Sequence, residues 1–202
     1  FLGWNPGTNQ ELFSLEELVE AFSIERVGKA GAKYDPEKAK WYNQQYLRAK
    51  DNAELAEELM KLGEEKALIS GKDKDYLTTV CGLMKERATF LKDIPVEGSY
   101  LFERPAEYDE KTAKKKWKED SAALMQEWKA RLAEVSDFTD QSVEDSFKSF
   151  LEEKELGIGR VLPLFRLLLT GQGMGPSMFA ITALLGKEEA LERMQIGIEK
   201  LG

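Results

Sequence analysis

The chain has 202 residues, enough to bury a sizeable core in one or two domains, and its 29 Lys+Arg against 37 Asp+Glu leave a net charge of −8. That balance excludes a generic polyanion binder while leaving room for local basic surfaces, and the absence of histidine excludes imidazole bases, Ser-His triads and His-ligated metals. The single Cys81 forms no internal disulfide and reads as a buried, inert thiol; no apolar run reaches the roughly 20 residues of a membrane span, so no membrane partner and a cytoplasmic setting are expected.

The chain opens on "FLGWNPG", without Met, and reads as a piece of something longer. Strand signals are nearly absent and helix punctuation is dense, so the expected class is all-α. Ser14 and Glu17 form a capping box ahead of Leu15, Leu18, Val19 and Phe22. "DPEKAKWYNQQYL" sets Asp35 as an N-cap with Pro36 at N1. Helices are then expected over Asn52 to about Ile69, broken near Gly63, and over Asp73 to about Asp93, with Pro95 after it. Asp109 to Val135 is one helix or two, broken near Asp120 and Ser121. Further helices are expected over Ser142 to Leu156, Val161 to Leu169 around Pro163, Pro176 to Leu185 with Pro176 at N1, and Lys187 to Leu201.

Charge divides the chain. Residues 1–50 carry seven of each sign, 51–110 carry 8 basic against 15 acidic, and 111–202 carry 14 against 15. Boundaries are expected near Lys50-Asp51 and in the polar connector Glu103 to Asp109.

Four stretches stand out. "EKAKWYNQQYLRAK" sets Trp41, Tyr42 and Tyr46 among amides and cations that include Lys40 and Asn43; it suits either the 2′-hydroxyls and phosphates of an RNA minor groove or a core helix with a polar outer face. "LMKERATFL" carries Lys85 and Arg87. At ~100° per residue, Arg87 falls in the middle of the apolar arc of Tyr76, Val80, Leu83, Phe90 and Ile94. A guanidinium there pairs with a carboxylate, reaches water along its stem, or faces something arriving from outside. "KTAKKKWKED" holds five lysines in eight residues, which at a helix start oppose the helix dipole; a solvated face or a phosphate contact both fit. "TGQGMGPSMF" has three glycines but lacks the Gly-Lys-Ser/Thr ending of a phosphate loop, and no strand precedes it. It reads as a helix-to-helix loop. The stretch Leu156 to Gly186 contains no Asp or Glu, Arg160 and Arg166 flank the loop, and Met174, Met178 and Phe179 read as soft apolar tips. Cations beside exposed apolar faces suit splayed single-stranded bases.

"LGWNPG", "FSLEELVEAFSIERVGKAGAKYDPEKAKWYNQQYL" and "LTGQGMGPSMFAITALLGKEEALERM" closely resemble the C-terminal part of bacterial-type glutamyl-tRNA synthetase. The resemblance implies the end of a stem-contact domain over 1–50 and two all-helical anticodon-binding domains over 51–110 and 111–202. It implies tRNA(Glu) as partner, with no role for DNA, and a parent that acts as a monomer. The parent's catalytic domain would carry HIGH-like and KMSKS-like motifs and use ATP and Mg²⁺. Neither motif is present here, so no catalytic residue, cofactor or metal site is expected in this chain.

The same resemblance carries roles residue by residue. Arg87 falls where the family reads the third anticodon base, and Arg166 matches an arginine at the first base. Gly175, Pro176, Met178 and Phe179 match the loop and helix start that pack the first two bases; some relatives have threonine at Gly175 and leucine at Met178. Lys40, Asn43, Lys85 and Arg160 are weaker candidates for stem or phosphate contact. A standalone helical protein-protein scaffold, favoured by the net charge and the lysine-glutamate surfaces, is the alternative from another class.

Overall fold

A computed structural model describes residues 3–29, 31–62 and 66–202. Twelve α-helices appear among them: α1 (Leu15–Ala21), α2 (Pro36–Ala49), α3 (Asn52–Leu59), α4 (Lys66–Ile69), α5 (Lys74–Met84), α6 (Asp93–Glu97), α7 (Glu110–Lys116), α8 (Ser121–Ala133), α9 (Asp140–Glu153), α10 (Ile158–Thr170), α11 (Met178–Leu185) and α12 (Lys187–Leu201). The all-α expectation holds among the described residues, whose extended pairing is one isolated bridge between Trp4 and Val27. No helix is long and apolar enough to cross a membrane.

Side-chain caps set most of the helix starts. Ser14 and Glu17 form the expected capping box, and Asp35, Asp51, Asp73, Asp109, Thr139 and Ser177 each accept a backbone N–H from the first turn they precede. The expected break near Asp120 is real, separating α7 from α8. Pro163 sits inside α10 and leaves the Gly159 carbonyl without its helical donor; the Lys116 ammonium donates to it at 3.3 Å. Gly63 lies outside the described residues.

Three expectations need correction. Helix α5 stops at Met84, well short of Asp93. The Asp93 carboxylate takes the N–H groups of Thr89 and Phe90, at 3.1 and 2.7 Å, and starts α6 instead. Arg87 therefore stands in a turn, and the helical arc that made it look misplaced does not extend to it. Pro176 is not at N1, because Ser177 is the cap and α11 begins one residue later. The lysines of "KTAKKKWKED" are not gathered at a helix start either: Lys114, Lys115 and Lys116 occupy the last turn of α7, where the dipole favours them.

Helix α3 packs along α5, and Leu55, Leu59, Leu77, Val80, Met84 and Ile94 are buried there. Cys81 belongs to this packing with no exposure, and burial pushes its thiol up to about 12, so the expectation of an inert cysteine is met. Helices α8 to α12 enclose Trp128, whose ring meets Phe147 at 5.0 Å, Phe165 at 5.4 Å and Phe150 at 5.5 Å. Arg193 of α12, only 3% exposed, ties the two regions: its Nη1 donates to the Tyr100 carbonyl at 2.6 Å and the Leu169 carbonyl at 2.9 Å, and its Nε to Glu189 at 2.7 Å. Arg104 of the connector grips Glu189 and Glu192 from outside at 2.7 and 2.6 Å.

Candidate nucleic-acid interface

The loop between α10 and α11 is held in place before any ligand arrives. Gly171 ends α10 with φ of 70°, the left-handed conformation that favours glycine, and its carbonyl accepts the Asp109 N–H at 2.8 Å. Beyond Met174, which is 87% exposed, the chain turns back over Arg166. Arg166 Nη2 donates to the Pro176 carbonyl at 2.7 Å. Arg87 Nη2, arriving from the turn after α5, donates to the adjacent Gly175 carbonyl at 2.8 Å. Two guanidiniums from distant parts of the chain thus hold two successive carbonyls.

Neither guanidinium has a carboxylate partner. Among the described residues, Arg48, Arg104, Arg131, Arg160 and Arg193 pair with carboxylates, while Arg87 and Arg166, like Arg26 on the Pro6 carbonyl, do not. Burial lowers the pKa of Arg166 from its usual value, and the neighbouring Arg87 adds to the lowering, opposed by Tyr100. A guanidinium remains charged under such pressure, so the site presents two cations without carboxylate partners, while Glu97 acts on the neighbouring Tyr100. Arg166 Nη1 is buried and has no hydrogen-bond partner. Tyr100 completes the floor: it is 6% exposed, its hydroxyl sits on the Met84 sulfur at 3.5 Å, and burial raises its pKa against the pull of both arginines.

The loop glycine is explained by this packing. A Cβ on Gly175 would stand 2.7 Å from Arg166 Nη1 and 3.5 Å from the Tyr100 hydroxyl. The backbone passes close over the guanidinium at this position.

The structure brings together Arg87, Arg166, Gly175 and Pro176, and Arg87 is exposed with no carboxylate partner. It corrects the picture of three apolar tips. Met178 is 2% exposed, and Phe179 is partly buried with its ring 5.5 Å from Phe147, because the Ser177 cap turns the first residues of α11 into the core. Neither is an exposed platform for a base; only Met174 projects.

The four weaker candidates are engaged within the protein. Lys40 pairs with Glu37 at 2.8 Å, Asn43 donates to the Thr89 carbonyl, and Lys85 donates to the Lys50 carbonyl at 3.0 Å. Arg160 meets Asp120 at 2.5 Å and Ser121 Oγ at 3.2 Å. Sequence reasoning missed Tyr100 and Arg193. Arg193 carried a usable signal, since it stands on the apolar stripe of Ala190, Met194, Gly197 and Ile198, all of them buried.

A family model described as an anticodon binding domain matches residues 51–198. The chain belongs to the anticodon-binding domain family. The match begins at the position where charge drops along the sequence, and it favours RNA recognition over the helical scaffold. Over 200 residues the chain is 46% identical to a glutamate–tRNA ligase of Phocaeicola vulgatus and 46% identical to one of Flavobacterium johnsoniae, covering 99% of this chain and 39% of each relative. A crystal structure of a glutamate tRNA ligase from Elizabethkingia meningosepticum, in complex with its amino acid, superposes with a TM-score of 0.91 at 38% identity, covering 100% of this chain and 39% of that one. A glutamate-tRNA synthetase structure from Elizabethkingia anophelis gives a TM-score of 0.87 at 35% identity. This anticodon-binding domain and its helical lead-in thus span about 39% of the length of the curated relatives.

The glycine loop has its carbonyls held by arginines and no lysine of its own, and among the described residues no three His, Cys, Asp or Glu side chains gather about one point.

Proposed function

We propose that the chain reads the anticodon of tRNA(Glu) as the recognition part of a glutamate–tRNA ligase. Residues 51–110 and 111–202 act as its two helical anticodon-binding units, and 1–50 forms the end of the stem-contact unit. ATP, Mg²⁺ and the chemistry of glutamate transfer belong to the remainder of that enzyme; the chain alone binds without catalysing. The carrying observation is the pair of guanidiniums without carboxylate partners that converge on successive carbonyls beside an acid-free loop.

Arg87 faces the third base. Cytosine offers N3 and O2 as adjacent acceptors to a group that only donates, whereas guanine presents N1–H and an amino group toward it. The mismatch costs about 1–3 kcal/mol by analogy with bidentate base contacts. Arg166 serves the first base from beneath the loop, whose Pro176 carbonyl its Nη2 holds. Gly175 and Pro176 pack the first two bases through backbone and ring, while Met178 and Phe179 support the loop from beneath.

Titration of the chain with the tRNA(Glu) anticodon stem-loop, at two salt concentrations, tests this. Binding that is preferred over a scrambled loop and weakens with salt is expected. Equal affinity for both loops contradicts it.

A further inference from the structure

Helix α2 meets the turn that carries Arg87 through side-chain donors set on backbone carbonyls. Asn43 donates to the carbonyl of Thr89, Gln44 to that of Ala88 at 3.5 Å, and Arg48 Nη2 to that of Glu86 at 2.6 Å. The Arg48 guanidinium also pairs with the Glu86 carboxylate at 3.2 Å, and Lys85 returns a bond to the Lys50 carbonyl at 3.0 Å. On α2 these three donors and the buried Leu47 lie within an arc of about 140° at ~100° per residue, so one helix face makes all the contacts.

The carbonyls they take, at 86, 88 and 89, lie on both sides of Arg87. The chain leaves the helix after Met84, and the Thr89 and Phe90 N–H groups that a longer α5 would have used are held by Asp93. From the turn so formed, with its carbonyls held by α2, Arg87 reaches the Gly175 carbonyl.

We propose that Asn43, Gln44 and Arg48 are positioning residues for Arg87. They fix the turn from which its guanidinium meets the third anticodon base, so third-base discrimination depends on a helix that does not touch the base. Bidentate recognition tolerates misplacement of only about 0.5 Å, and a turn is softer than a helix unless its carbonyls are held. This rests on the assignment of Arg87 to the third base. It also gives Asn43 a role other than stem or phosphate contact, since its amide is already committed to Thr89.

The test measures binding of the 202-residue chain to anticodon stem-loops with cytosine or guanine at the third position, and to loops altered at the first. Asn43→Asp is exposed and opens no cavity, yet sets a carboxylate against a carbonyl; Arg48→Ala removes the donor to Glu86, and Arg48→Lys restores a cationic one. Asn43→Asp and Arg48→Ala should reduce the third-base preference about three- to tenfold while the first-base preference stays within about twofold. Arg48→Lys should recover most of the loss, and melting curves should show every variant folded. Equal loss of both preferences, or no loss of either, overturns the proposal. A wild-type chain without third-base preference contradicts the assignment of Arg87 itself and is thereby told apart.

Discussion

Arg87 and Gly175 stand 88 positions apart in the chain and share a hydrogen bond of 2.8 Å from guanidinium Nη2 to carbonyl. The bond uses one of the five donors of the guanidinium and leaves the others to face solvent, so the side chain is oriented without being neutralised. It also joins the two base-reading elements. The carbonyl next in sequence, Pro176, belongs to Arg166, so a rearrangement of either arginine moves the same short segment.

Gly171 and Gly175, two of the three glycines of that loop, should respond differently to a methyl group. On Gly171, at φ of 70°, a Cβ would meet the Glu107 carbonyl oxygen at 2.5 Å and the Pro105 ring at 2.8 Å, neither of which can yield. Gly171→Ala is therefore expected to cost about 2 kcal/mol or more. On Gly175 the obstacle is the far end of Arg166, which can swing away, so Gly175→Ala should melt within about 1 kcal/mol of wild type. Thermal or denaturant unfolding of the two variants makes the comparison.

Arg193 governs stability and part of its pH dependence. Arg193→Met leaves the Tyr100 and Leu169 carbonyls unpaired and Glu189 with Arg104 alone, an expected loss of about 2–5 kcal/mol at neutral pH. Arg104 first, and then Arg193, hold the Glu189 carboxyl below its ordinary value of 4.5. A carboxylate depressed in the folded state stabilises above its unfolded pKa, and that contribution fades as pH falls from about 4.5 through the folded value. Wild type should therefore lose stability on acidification over that window, and Arg193→Met should lose less. Melting temperatures from pH 7 to pH 3 check both statements.

Much of the fold was legible because the helix starts are written locally. Ser14, Asp35, Asp73 and Asp109 announce their helices through their own side chains and a few following residues. The end of α5 was not legible, because the Asp93 carboxylate that takes the Thr89 and Phe90 N–H groups lies at the end of the very span that periodicity assigned to the helix. Periodicity therefore carried the helix on to Asp93 and set Arg87 in the middle of an apolar arc. The candidate site was read in the same mixed way. Periodicity drew attention to Arg87, and the acid-free stretch to Arg166 and the loop holding Gly175; the resemblance supplied their roles, but a loop rich in glycine gave no sign that the Ser177 cap would turn Met178 inward. Tyr100 and Arg193 act through backbone carbonyls and a neighbouring guanidinium, partners that no spacing in the sequence reveals.

The most direct measurement is the affinity of Arg87→Gln for anticodon stem-loops carrying cytosine or guanine at the third position. Glutamine has an acceptor as well as donors and accommodates either base edge. The preference of wild type for cytosine should fall by about tenfold, within the 1–3 kcal/mol of a bidentate contact, while the preference at the first base persists. A cytosine-to-guanine ratio equal to that of wild type would contradict the assignment of Arg87 as the third-base reader.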